Sequence, residues 1–252
     1  MESVMFSIVL GSIWMIFTLG WLFTLRWSKL RVERNETRLG CIEATDGRSG
    51  SEVARFLLDT LNLHHTVDVV QAEVDSYRHR GARGTPEVRL CEQVYRGCSV
   101  YALSVAAHEV GHAQQYAEGY WASHRTVRRI LDWTLMVGLS AGALGGIAGV
   151  VSALLGTRLP SGVGLLFMAV SFLGMAPAVF RILALERNAS ARAMRFLRNG
   201  IIQESEVTAC RHALKVAGMT YVVHDLGQTV YAPLAIGLSA VVVPIFGELV
   251  GK

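Results

Sequence analysis

Long uncharged stretches alternate along this chain with segments dense in charge. Residues 3–25 carry no formal charge, and neither do 133–157, 159–180 or 226–247. At about 1.5 Å per helical residue, each is long enough to cross a hydrocarbon core of about 30 Å. The pattern predicts four transmembrane helices, with Arg158 in a tight turn between the middle two. Pro177, Pro233 and Pro244 suit such helices, where neighbours re-satisfy freed carbonyls. Gly138, Gly142 and Gly146, with Gly145 and Gly149 offset, give small-residue spacings that permit close helix contact within a bundle. A cleavable leader is the alternative for 3–25, but that stretch lacks a basic start and a small-residue cleavage site. Trp21 and Trp27 fit interfacial anchors of a retained helix instead.

The segments between these runs have soluble patterning. Residues 50–61 read as an amphipathic helix: Ser51 as cap, Glu52 in the first turn, and Val53, Phe56, Leu57 and Leu61 on one face. Val67 to Val70 and Val88 to Leu90 read as short strands separated by the polar stretch Asp75 to Thr85. The second strand is expected either to present an unpaired edge, to which an extended peptide could add, or to complete a two-stranded ribbon with no such role.

Composition and charge agree with a membrane protein. Hydrophobic residues make up 52% of the chain and the mean hydropathy is +0.37, above the soluble norm. Basic residues cluster at Arg26, Lys29, Arg31 and Arg34, at Arg125, Arg128 and Arg129, and at Arg181, Arg187, Arg192, Arg195 and Arg198. The positive-inside rule puts all three clusters on the cytoplasmic side, leaving Glu2, Arg158, Glu248 and Lys252 outside. The division expected is transmembrane helices at 3–25, 133–157, 159–180 and 226–247, with cytoplasmic regions 26–132 and 181–225. The pI near 9.0 is then an orientation signal, and no aromatic-interleaved basic motif argues for nucleic acid. Cys41, Cys91, Cys98 and Cys210 fall in the cytoplasmic regions without a C-x-x-C pair and read as reduced thiols.

Chemistry concentrates in Ser104 to Gln115, which contains His108-Glu109-Val110-Gly111-His112 within a run of helix formers. On a helix the two histidines lie roughly 40° apart in azimuth and about 6 Å apart along the axis, so both imidazoles reach one metal ion. Two neutral nitrogens would hold Zn²⁺, and Glu109 would take a proton from an attacking water. Val105, Ala106, Ala107, Val110 and Ala113 read as buried, and polar groups set in an apolar wall need a partner.

A third protein ligand is required at a catalytic zinc. The extension H-E-x-x-H-x-x-G-x-x-H is excluded, because Gln115 and Glu118 stand at its glycine and histidine positions. Glu118 lies about 15 Å along the helix from His108 and reads as an exposed carboxylate. Glu186 opens an Ala-rich helix that the expected topology returns to the level of the histidine helix. It could instead pair with Arg187 or Arg192. Glu204 and Glu206 read as helix-start charges, while Asp132 and Asp225 abut expected spans.

These segments resemble the YugP-like neutral zinc metallopeptidases, a membrane-embedded, gluzincin-type family. The resemblance covers nearly the whole chain. Its specific parts are Ser99 to Gln115, Leu185 to Ala193, and Leu214 to Ala217 leading into Thr220 to Val222. It implies His108, His112 and Glu186 as zinc ligands and Glu109 as the base. One departure is Asn188, where the family usually has an acidic residue, so hydrogen bonding around the ligands would differ.

The fold class expected is therefore mainly α, a four-transmembrane-helix protein with a small zincin-like α+β cytoplasmic catalytic region. The function expected is a zinc endopeptidase of the inner cell membrane, cutting peptides or membrane proteins at the cytoplasmic surface, with substrate along Val88 to Leu90. Tyr221 and His212 are candidate donors to the developing oxyanion by chemistry alone. The competing readings are a membrane scaffold with structural zinc and an intramembrane-cleaving protease. Oligomeric state is not legible.

Overall fold

The computed structural model describes residues 19, 20, 22, 23, 26–31, 33–79, 84–120, 133, 136, 137, 140, 144, 151, 180 and 183–219. The chain divides into two compact units. One comprises Met1–Ser28, Thr126–Ile182 and Val222–Lys252, and its described positions are helical. The expected fold class requires correction. Among the described residues no helix is long and apolar enough to cross a membrane, and what is described is helical with one small sheet. Absence of charge over a long stretch is a property of composition and does not by itself build a spanning helix. The stretches 3–25, 133–157, 159–180 and 226–247 lie almost entirely outside the described residues.

The second unit, Lys29–Arg125 with Leu183–Tyr221, carries the histidine motif. Its described residues 29–31 and 33–40 are helical (α1), followed by α2 (Gly50–Thr60), strands β1 (Asp68–Ala72), β2 (Ser76–Arg78) and β3 (Glu87–Cys91), a short α3 (Glu92–Arg96) and the long α4 (Val100–Ala117). Helices α5 (183–198) and α6 (207–219) follow, the second entered through the 3-10 turn Glu204–Glu206.

Helix α2 is capped two residues earlier than its sequence suggests. Ser49 accepts from the Glu52 amide while the Glu52 carboxylate accepts from the Ser49 amide, a reciprocal capping box that leaves Ser51 buried. At the other end Asn62 takes φ 55, and Leu63 N donates to Leu58 O and Asn62 N to Asp59 O, a Schellman closure with asparagine in the glycine role. The buried face is Val53, Ala54, Leu57 and Leu58. Phe56 is exposed and packs under the Arg48 guanidinium, 4.4 Å from its ring centre.

The sheet corrects the edge-strand expectation. Its order is β1-β3-β2, with β3 parallel to β1 and antiparallel to β2. Val88 and Leu90, fully buried, therefore lie on the central strand, Val88 paired with Val69 on one side and Tyr77 on the other, and Leu90 paired with Gln71. The stretch Asp75 to Thr85 supplies the missing strand: Ser76, Tyr77 and Arg78 pair with Arg89, Val88 and Glu87. Its polar character hid a strand whose side chains are only half-buried. Among the described residues β2 carries an open edge. It runs beside the C-terminal part of α4, where His79 stacks on Tyr116 at 3.9 Å between ring centres.

Helix α4 runs through the middle of the core. Ser99 caps it, accepting from the Ala102 amide, and every residue from Val100 to Ala113 is buried. On one side lie Val53, Leu57, Leu90 and Val94; Ala193, Leu197, Ala213, Leu214 and Ala217 of α5 and α6 join the same core. Burial of this apolar surface is the main favourable term holding the unit together. The approach of α5 to α4 depends on Gly111: a Cβ built there would lie 2.8 Å from the carbonyl oxygen of Ala189. Ala189 and Ala193 keep the facing side equally small, and both are fully buried.

The turn between α5 and α6 is tied to the start of the unit by Glu206. Its carboxylate accepts from the Thr45 amide, the Thr45 hydroxyl and the Gln203 amide, each at 2.8 Å. Burial works to raise its pKa, but the hydrogen bonds from Thr45 and Gln203 outweigh burial and hold it below its ordinary value.

Two consequences are measurable. Gly111→Ala should lower Tm: alanine is the better helix former by about 1 kcal/mol, but the methyl strikes backbone, and overpacking costs about 1–3 kcal/mol. An unchanged or raised Tm would remove the close approach from the account. The Glu206 contribution is present above the ordinary carboxylate value of 4.5 and is lost as pH falls through the lower folded-state value. Glu206→Gln should therefore show a shallower fall in Tm on acidification than the wild type, and equal acid slopes would show that Glu206 does not carry the dependence.

Candidate metal centre

The two motif histidines lie one turn apart on α4, with ring centres 4.8 Å apart and planes perpendicular. Helix α5 brings Glu186 onto both of them. His108 Nε2 lies 3.0 Å from Glu186 Oε2, and His112 Nε2 lies 3.5 Å from Glu186 Oε1. One donor atom from each residue can be chosen so that all lie within 4.8 Å of one another. Two donors at the corners of a zinc tetrahedron with bonds of about 2.0–2.1 Å stand about 3.4 Å apart, close to both of these separations. Two imidazoles with one carboxylate is also a donor set that zinc takes at catalytic sites. The residues present therefore fit a zinc ion.

Charge points the same way. Glu109 is fully buried beside the histidines, and its charge reaches His112. Burial works to lower the His112 pKa, but Glu186, Glu109 and Gln115 together outweigh it and raise it. Burial works to raise the Glu186 pKa, yet hydrogen bonds to His108 and His112 hold it down to about 2. Two carboxylates are thus gathered in an apolar interior, which is costly unless cationic charge accompanies them.

A second layer of polar groups surrounds the histidines. Ser190 Oγ lies 3.3 Å from His108 Nδ1 and 3.5 Å from Leu214 O. Gln115, fully buried, places Oε1 3.0 Å from His112 Nδ1, while its Nε2 donates to Leu185 O at 3.0 Å and to Asn188 Oδ1 at 2.9 Å. Arg192 donates from Nε to the same Asn188 oxygen at 2.8 Å and pairs through Nη2 with Glu118 at 2.8 Å.

Of the residues marked in the sequence, His108, His112, Glu109 and Glu186 converge here. Glu118 is exposed and pairs with Arg192. Glu206 caps the α5–α6 turn, and Glu204 faces Arg198 at 3.7 Å. His212 is exposed on α6, and Tyr221, Asp132 and Asp225 lie outside the described residues. The four cysteines are unpaired with one another. Sequence reasoning missed Gln115, Ser190 and Arg192. The available signal was spacing: Gln115 is three residues after His112 and so shares its helix face, and Asn188 and Arg192 are four apart on theirs.

Comparison with known proteins agrees with this chemistry. The family model described as "Putative neutral zinc metallopeptidase" matches residues 14–233. A relative from Bacillus subtilis (strain 168), named "Putative membrane protease YugP", is 33% identical over 204 residues, covering 78% of this chain and 83% of the relative. No solved structure gives a significant match. With its histidine pair, its facing glutamate and a family match over most of its length, the chain belongs to the neutral zinc metallopeptidase family.

Proposed function

We propose that this protein is a membrane-associated zinc endopeptidase in which His108, His112 and Glu186 hold the metal and Glu109 is the catalytic base. The observation that carries the proposal is the convergence of three donor atoms on a site with a buried carboxylate beside it. When bound, zinc supplies a Lewis acid that polarises a carbonyl and brings the pKa of water toward about 7. Glu109 takes the proton from the attacking water and delivers it to the departing amine. Its burial keeps bulk water from competing for that proton, and a low-dielectric setting strengthens its pull.

The open edge of β2 suits an extended peptide, whose main chain would add as a further antiparallel strand. Such binding reads backbone, so it accepts many sequences. Tyr77 and Tyr116, with ring centres 6.1 Å apart, and His79 stand beside that edge and would meet the peptide's side chains. The name of the Bacillus relative supports a site of action at a membrane. Four cysteines without a disulfide suit a reducing compartment, and with it the cytoplasmic side.

The test is metal content together with cleavage of an unfolded casein-like protein. Purified wild type should hold one zinc per chain and show chelator-sensitive cleavage, with His108→Ala and Glu186→Ala losing both. Full zinc in Glu186→Ala would place the third ligand elsewhere. Glu109→Gln should keep its zinc while cleavage falls about 10²- to 10⁴-fold; unchanged cleavage in that variant would remove Glu109 from the mechanism.

A further inference from the structure

Hydrogen-bond polarity around His112 runs in one direction, and its origin is a group that cannot reverse. Arg192 has donors only and stays protonated. The Asn188 atom it meets at 2.8 Å must therefore be the amide oxygen. That oxygen also faces Gln115, so the Gln115 atom 2.9 Å away must be its NH₂ group. The backbone carbonyl of Leu185, an acceptor only, requires the same orientation at 3.0 Å. Gln115 is then left with its carbonyl oxygen toward His112 Nδ1 at 3.0 Å, and an oxygen there can only accept.

We infer that Arg192, Asn188 and Gln115 form a positioning relay that fixes His112 as its Nδ1–H tautomer, leaving the Nε2 lone pair aimed at the metal. The inference rests on the zinc reading of the site and adds residues that touch neither metal nor substrate.

The relay is built to hold its sense. Gln115 is fully buried and Arg192 nearly so. Glu118 anchors the guanidinium from the far side at 2.8 Å, and the Tyr120 ring lies 5.9 Å from its centre. Two independent acceptors fix the Gln115 amide, so turning it would cost both bonds and set oxygen against oxygen. The relay also gives Asn188 a definite part. Its role is to accept from Arg192 and Gln115, which an amide oxygen does as well as a carboxylate.

The test compares zinc affinity, by chelator competition, and the visible absorption of the cobalt-substituted protein across variants of near-equal volume. Gln115→Met and Asn188→Leu should bind zinc about 10- to 100-fold more weakly, the range for lost outer hydrogen bonds to a ligand. Circular dichroism confirms that each is folded. Asn188→Asp keeps the acceptor and should stay within a few-fold of wild type, which a merely space-filling role would not separate from Asn188→Leu. The cobalt bands should shift in Gln115→Met and not in Asn188→Asp. Wild-type zinc affinity in folded Gln115→Met and Asn188→Leu would overturn the relay while leaving the metal site standing. Equal weakening in Asn188→Asp and Asn188→Leu would also overturn it. Wild type that binds no zinc at all would overturn both readings.

Discussion

The Glu186 carboxylate of α5 reaches both imidazoles of α4 across an interface at which the two backbones approach closely. Packed helices usually stand 8–10 Å apart, with the contact residues setting the distance. Here Gly111 lies between His108 and His112, and its missing side chain leaves room for the Ala189 carbonyl. Glu186 is one turn before Ala189, so the contact that closes the interface also delivers the carboxylate. The rest of the unit serves this crossing. The capped α2, the sheet and the Glu206 clamp hold α4 and the α5–α6 pair against one core.

Burial gives these polar groups their chemical character. In water, Glu186, Gln115 and Arg192 would each exchange partners freely; inside the core each has a small fixed set. The donor and acceptor sense of the bonds from Arg192 through Asn188 and Gln115 to His112 is then determined by groups that cannot change, the guanidinium and the Leu185 carbonyl. A site of this kind is prepared before any ligand arrives, which reduces the reorganisation that binding or chemistry would otherwise require.

The parts of this arrangement that were legible in the sequence are those encoded locally. The five residues from His108 to His112 specify helical spacing and chemistry together, and alanine and valine around them signalled burial. Glu186 was legible because few acids remained and an Ala-rich helix carried it. What the sequence concealed depends on partners distant along the chain. Strand β2 has only half-buried, polar side chains, so no alternation marked it, and without it β3 was misread as an edge. Ser51 read as the cap of α2, whereas the reciprocal bond with Glu52 is made by Ser49. Gln115 and Arg192 read as ordinary polar residues because their partners lie on other turns and helices. The four uncharged stretches read as membrane spans from composition alone, and among the described residues no helix meets that requirement.

The central claim, that two histidines and a glutamate from two helices hold zinc, is tested most directly by X-ray absorption at the zinc edge of the purified protein. The account requires a first shell made of nitrogen and oxygen only, at about 2.0–2.1 Å, with outer-shell scattering from two imidazoles. Sulfur in the first shell, or scattering from three or more imidazoles, would contradict it.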